Sequence, residues 1–242
     1  MPNPQIHTVY DVRCTITVRC TLCQVERLSR ERVLTTAVAL ADREGIEAVT
    51  MRRLADALGA GAMSLYHHVP GKDALRDGMV DIVFGEIELP VGDGDWKGAM
   101  RRRALSTRAA LRRHPWAVGL MESTKTPGPA DLRLHEAVLR CLRQAGFTVE
   151  MAVQAYSVQD AYIYGYALQE RGMAYATQQQ FAETAGRRVQ QVESAMADVA
   201  RAYPYLAEVV GGHVAQHGHD LSKAFEFGID VILEGLERLR SD

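Results

Sequence analysis

Aromatic residues make up only 7% of this 242-residue chain, and no apolar run approaches the roughly 20 residues a bilayer span requires. The opening residues lack the continuous apolar stretch of a secretory signal. No phosphate-cradling Gly-rich loop, HExxH pair or nucleophile–base pattern occurs, which leaves the common catalytic chemistries without support. The net charge is only −2, so no global field draws the chain to nucleic acid, although local charge can differ from the total. What is present is an ordinary globular mixture, 47% hydrophobic and 24% charged, dominated by Ala, Leu, Arg and Glu. Those residues favour helix. The expectation is an all-α cytoplasmic protein with no membrane attachment, long enough to bury a proper core.

Cysteine is scarce. Cys14, Cys20 and Cys23 stand at C-x5-C-x2-C, and His7 is the one nearby residue that could complete a metal set. Before Ser29 there is no helical period, however, so residues 1–27 read as a disordered extension, even as reading frame upstream of the true start. Cys141 lies on an apolar-periodic helix and belongs to the core. No metal or other cofactor is expected.

Regular structure begins at Ser29. "SRERVLTTAVALADREG" has an N-capping Ser, an apolar stripe at Val33, Ala37, Leu40 and Ala41, and a terminating Gly45. Thr50 caps a second helix, Met51 to Leu58, whose inner face holds Leu54, Ala55 and Leu58. Gly59-Ala60-Gly61 breaks it. A short third helix spans Ala62 to His68 ahead of Pro70, and a fourth runs from Gly71-Lys72-Asp73 to about Glu88. "LPVGDGDW" then divides the chain into domains of residues 28–89 and 90–242. Further helices are expected over 95–113, 114–121, 129–145, 148–171, 178–202, 204–211 and 220–240.

Two helices joined by a tight Gly turn outline a helix-turn-helix, in which the second helix enters the major groove. Gly61, Ala62 and Met63 allow close approach to bases and thymine methyls, while Ser64, Tyr66, His67 and His68 offer hydrogen bonds to base edges and phosphates. Only Leu65 and Val69 are needed as anchors. Thr50, Arg52 and Lys72 stand at helix N-termini, where a phosphate is favoured. Between Thr50 and Lys72, Arg52, Arg53 and Lys72 face Asp56 alone, a local balance of +2.

The stretch "LTTAVALADREGIEAVTMRRLADALGAGAMSLYHHVPGKDALRDGM" resembles the DNA-binding domain of the tetracycline-repressor (TetR) family. "RRHPWAVGLMES", "LRLHEAVLRCLRQAGFTVEMAVQAYSVQDAYIYGYALQE" and "FEFGIDVILEGLERLR" resemble the C-terminal domain of the tetracycline-repressor branch itself. Together they cover nearly everything from Leu28 to Arg240. The resemblance implies a base contact from Arg52, a groove-facing helix lined by Ala62, Met63, Ser64, Tyr66 and His68, and a phosphate contact from Lys72. It also implies a homodimer on a palindromic operator in double-stranded DNA, released when a small-molecule effector shifts the fourth helix. The helices over 148–171 and 220–240 would form the dimer bundle, with Gly165, Gly228 and Gly235 permitting close approach. Trp116, Met121, Tyr156, Gln159 and Asp160 are the pocket residues this points to, although a core role suits each of them as well. One departure matters. Gly119, Leu120 and Met121 stand where a metal-binding histidine would fall, and no histidine occurs between His68 and His114. The expected effector is therefore not tetracycline–magnesium but something more apolar.

Two clusters admit blander readings. Lys97, Arg101, Arg102, Arg103, Arg108, Arg112 and Arg113 occur between Trp96 and Met121 with no acid among them. They could attract an anion, but a solvated helix face paired with acids elsewhere is the stronger reading. His213, His217 and His219 could hold a metal, yet the surrounding glycines suit a mobile connection better.

Overall fold

A computed structural model describes residues 27–91, 94–121, 125–184, 200–208 and 221–241, and among these every regular element is helical. Helix α1 (Arg30–Glu44) starts where the Ser29 hydroxyl accepts from the Arg32 N–H at 3.1 Å. A 3-10 turn (Ile46–Ala48) leads to α2 (Met51–Leu58), capped by the Thr50 hydroxyl accepting from the Arg53 N–H at 3.2 Å. At its end Gly59 adopts φ +62, and the Ala60 N–H reaches back to the Ala55 carbonyl. That left-handed residue is the reason for glycine: any side chain there would be strained.

Helix α3 (Ala62–Tyr66) is shorter than the expected Ala62–His68. The His68 and Val69 N–H groups both fold back on the Leu65 carbonyl, and Pro70 has no N–H to continue the ladder. Helix α4 (Lys72–Gly85) follows Gly71, whose φ of +149 is a glycine conformation. It buries Leu75, Met79, Val80 and Val83 against α1.

The remaining helices are α5 (Trp96–Arg113), α6 (Val118–Met121), α7 (Pro129–Gln144), α8 (Val149–Thr184), α9 (Pro204–Glu208) and α10 (Leu221–Ser241). Helix α6 covers only the second half of the expected segment, because Pro115 follows the extended C-cap His114 and 114–117 form a turn. Helix α8 continues through the interruption expected after Arg171. Gly172 is the only breaker there, and one glycine in an Ala- and Gln-rich run costs about 1 kcal/mol, too little to end a helix already packed on α5 and α10. The expected segments around Cys14–Cys23, 185–199 and His213–His219 lie outside the described residues.

The cationic run on α5 pairs with acids, as a solvated face would, but part of it is inside. Lys97 meets Glu234 at 2.8 Å and Arg101 bridges Asp230 and Glu226, each at 2.8 Å, all on the surface. Arg103 is fully buried and pairs with Asp160 of α8. Arg108 forks onto Glu170 of α8 at 3.0 and 2.6 Å, with its guanidinium carbon 4.9 Å from the Phe225 ring centre on α10. The α5–α8–α10 seam is thus held by buried charge as well as by Phe225, Ile163, Ile229 and Leu233. Gly228 permits the closest approach: a Cβ there would lie 2.1 Å from the Tyr162 hydroxyl, which instead donates to the Phe225 carbonyl at 3.1 Å. No described helix is long and apolar enough to cross a membrane.

Candidate nucleic-acid interface and effector region

Helix α3 rests on very few buried residues. Leu65 is inaccessible and Val69 nearly so, and they fix α3 against the core of α1, α2 and α4. Everything else on α3 faces out. Met63 is 76% exposed and Tyr66 45%, with Ala62, Ser64 and His67 also exposed and His68 half-buried. A helix presenting methionine and tyrosine to solvent gains nothing for stability from those side chains. Flanking it, Thr50, Arg52 and Arg53 sit at the start of α2 and Lys72 at the start of α4, all exposed. Arg53 is tied to Glu44 at the end of α1, whereas Arg52 and Lys72 make no ion pair among the described residues. The positions expected to contact DNA thus form an exposed set, His68 alone being half-buried. Two of its three cations are unpaired.

The expected pocket residues divide into two places. Tyr156, Gln159 and Asp160 lie on α8 toward α5 and α7. There the Arg103 guanidinium is 4.9 Å from the Tyr156 ring centre, and His135 packs edge-on to the same ring at 5.0 Å. Burial raises the Asp160 carboxyl above its ordinary range despite the adjacent Arg103 cation. Burial likewise raises the Tyr156 phenol. The His135 imidazole is raised by its hydrogen bond to Asp131. Gln159 is fully buried with neither amide atom hydrogen-bonded, and Arg103 keeps Nε and Nη1 unpartnered. This region is more polar than the sequence led us to expect. The sequence signals for a buried Arg103 and Arg108 are their respective partners, Asp160 and Glu170, the two carboxylates on an otherwise uncharged stretch of α8.

Trp116 lies elsewhere. Its indole N–H donates to Asp42 of α1 at 2.7 Å, at the junction between the N-terminal helices and the core, and Met121 is buried nearby in α6. Polar contacts recur along the junction, beside the buried Val80, Val83, Phe84 and Ala130. Lys125 meets Asp73 at the start of α4 at 2.7 Å, which holds the Asp73 carboxyl below its usual range. Midway, Asp81 accepts the N–H groups of Ala130 (2.8 Å) and Asp131 (3.1 Å) that open α7. Gly128 makes room for this, since a Cβ there would come within 2.2 Å of the Asp81 carboxylate. Past the end of α4, Glu86 accepts from Arg113 at 3.0 and 2.6 Å.

The exposed α3 thus stands on α1, α2 and α4, and α4 joins these to the larger helical body. Residues 33–79 match the bacterial regulatory proteins of the tetR family, and residues 90–240 match the tetracyclin repressor-like C-terminal domain. The chain belongs to the TetR family. It is 37% identical over 217 residues to the HTH-type transcriptional repressor DrrR1 of Streptomyces coeruleorubidus, covering 88% of this chain and 78% of that protein. To the class C tetracycline repressor of Escherichia coli it is 29% identical, covering 89% of this chain and 94% of the other. The structure of the TetR-family protein ActR from Streptomyces coelicolor in complex with actinorhodin superposes with a TM-score of 0.71 at 27% identity, covering 89% and 100% of the two chains. As a TetR-family member the chain is a DNA-binding transcriptional repressor responsive to a small molecule, and not an enzyme.

Proposed function

We propose that residues 28–89 form a reading head and residues 90–242 an effector-binding and dimerisation core, and that two copies grip a palindromic operator in the cytoplasm. The observation that carries this reading is the exposed α3, with Met63, Ser64, Tyr66 and His67 outward and only Leu65 and Val69 inward. Ala62, Met63, Ser64, Tyr66, His67 and His68 read bases and nearby phosphates, with Gly61 allowing the backbone close. Arg52 reaches a base edge. Thr50, Arg53 and Lys72 face the phosphate backbone.

The second copy docks on α8 and α10. Val153, Val158, Val231 and Leu239 are exposed there, and a groove of about 330 Å³ runs between Phe147, Met151, Ile232 and Leu236. Such an apolar face is what a four-helix seam between copies buries. The effector binds beside Tyr156, Gln159 and Asp160, with Arg103 as an added partner and Met121 and Trp116 toward the junction. ActR holds actinorhodin in its structure, which supports a core ligand here.

The test is a mobility shift on DNA flanking the protein's own gene, across a salt series. Saturable binding that survives competitor DNA is expected. Arg52→Ala and Tyr66→Ala should each weaken it by roughly 1–3 kcal/mol with the dimer intact. Two variants that bind like the parent would show that α3 is not the reading helix.

A further inference from the structure

The turn between α5 and α6 carries an arrangement that the operator and effector reading leaves unused. His114 is nearly inaccessible, with both ring nitrogens facing carboxylates: Nδ1 lies 2.8 Å from Asp42 Oδ1 on α1, and Nε2 lies 3.1 Å from Glu86 Oε1 past the end of α4. A neutral imidazole has one N–H and one lone pair, so it can donate to only one of these oxygens and must turn its lone pair on the other. The imidazolium donates to both. Asp42 Oδ1 also accepts the Trp116 indole N–H, and Glu86 Oε2 accepts both Arg113 contacts. Burial raises the Glu86 carboxyl, yet the hydrogen bonds from Arg113 and His114 outweigh it and hold it below its ordinary range. From α8, Arg171 donates to the Pro115 carbonyl at 3.4 Å, completing the charged groups around this turn.

We propose that Asp42, His114 and Glu86 form a clasp, closed when both ring nitrogens of His114 donate to the carboxylates, that holds the reading head at a fixed angle to the core and so positions it for operator binding. The inference rests on the operator-binding reading above. A head held at one orientation loses less freedom when both half-sites are engaged, so the closed clasp raises affinity. Removing the proton turns one of the two His114 contacts from attractive to repulsive, loosening α1 and the end of α4 against α5, where the Trp116 and Arg113 contacts remain. His114, Asp42 and Glu86 are positioning residues, none of them among the residues proposed to contact DNA.

The general imidazole range spans about pH 5–8, and the exposed face around α3 carries two further histidines, His67 and His68. The experiment must separate them. Full-length protein is titrated with labelled DNA flanking its own gene at about pH 6 and about pH 8.5. The parent should lose about tenfold more affinity than Glu86→Gln over that interval. In Glu86→Gln an amide N–H donates to the unprotonated Nε2 while the amide oxygen still accepts from Arg113, so the clasp no longer needs the proton. His114→Gln, checked for folding by its melt, should match the flatter profile of Glu86→Gln. Superimposable profiles for parent and Glu86→Gln would overturn the clasp. If no operator binding is found at any pH, the repressor reading fails instead. The clasp is then decided by hydrogen exchange in the last turn of α1: more protection at the lower pH in the parent, after correction for intrinsic rates, and none in excess in Glu86→Gln. Equal protection in both would overturn it.

Discussion

Leu65→Ala should abolish sequence-specific operator binding while leaving a folded, dimeric core. Leu65 is fully buried beneath α3, and Val69 is the only other inward residue between Gly61 and Pro70. Truncating a buried leucine typically costs about 2–5 kcal/mol. In a head this small that is most of the local stability, and a five-residue helix has almost none of its own. Mobility shifts should show no retained complex, whereas sedimentation should report the parent's mass and the core's melting transition should persist. Parent-like DNA binding by Leu65→Ala would mean that α3 does not depend on this anchor.

Asp160→Ala should be the most damaging single change in the core. It leaves the Arg103 guanidinium fully buried with no counter-charge and with Nε and Nη1 already unpartnered. Breaking one side of a buried pair costs about 3–5 kcal/mol, mostly from the stranded charge. The double variant Arg103→Met with Asp160→Leu removes both charges and should recover most of that loss. Thermal or denaturant unfolding of parent, single and double variants closes the cycle. Should the double variant prove as unstable as the single, the penalty would come from lost packing rather than from stranded charge. The same cycle serves the effector reading, because the double variant would stand folded yet lack the polar groups proposed to meet a ligand.

Much of this fold could be read from local signals. Ser29, Thr50, Gly59 and Pro70 act within a few residues of themselves, so the caps of α1 and α2 and the short α3 followed from chemistry visible in the sequence. The outward face of α3 is legible in part for the same reason: Leu65 and Val69, one turn apart, are the bulky aliphatic pair, and Ser64, His67 and the Tyr66 hydroxyl favour water. What resisted reading was long-range. Arg103 and Arg108 look like their neighbours Arg101 and Arg102, and only Asp160 and Glu170, about sixty positions on, draw them inside. Trp116 was grouped with the pocket on α8, but its partner Asp42 lies 74 positions earlier on α1, and no spacing rule connects them. The uninterrupted course of α8 has the same origin. Packing against α5 and α10 outweighs one glycine's local preference.

The division of labour within α3 has a consequence for how such regulators diversify. In the proposed reading, fold and readout fall to different side chains of the same short segment: Leu65 and Val69 hold it, while Met63, Ser64, Tyr66 and His67 are exposed. Exposed changes of that kind usually shift stability by no more than about 0.5 kcal/mol. The four outward positions can therefore be randomised together, and a library selected on new promoter sequences will sample recognition almost independently of folding. A duplicated gene copy could retarget itself by the same route, keeping its sensor while acquiring a different address on the chromosome.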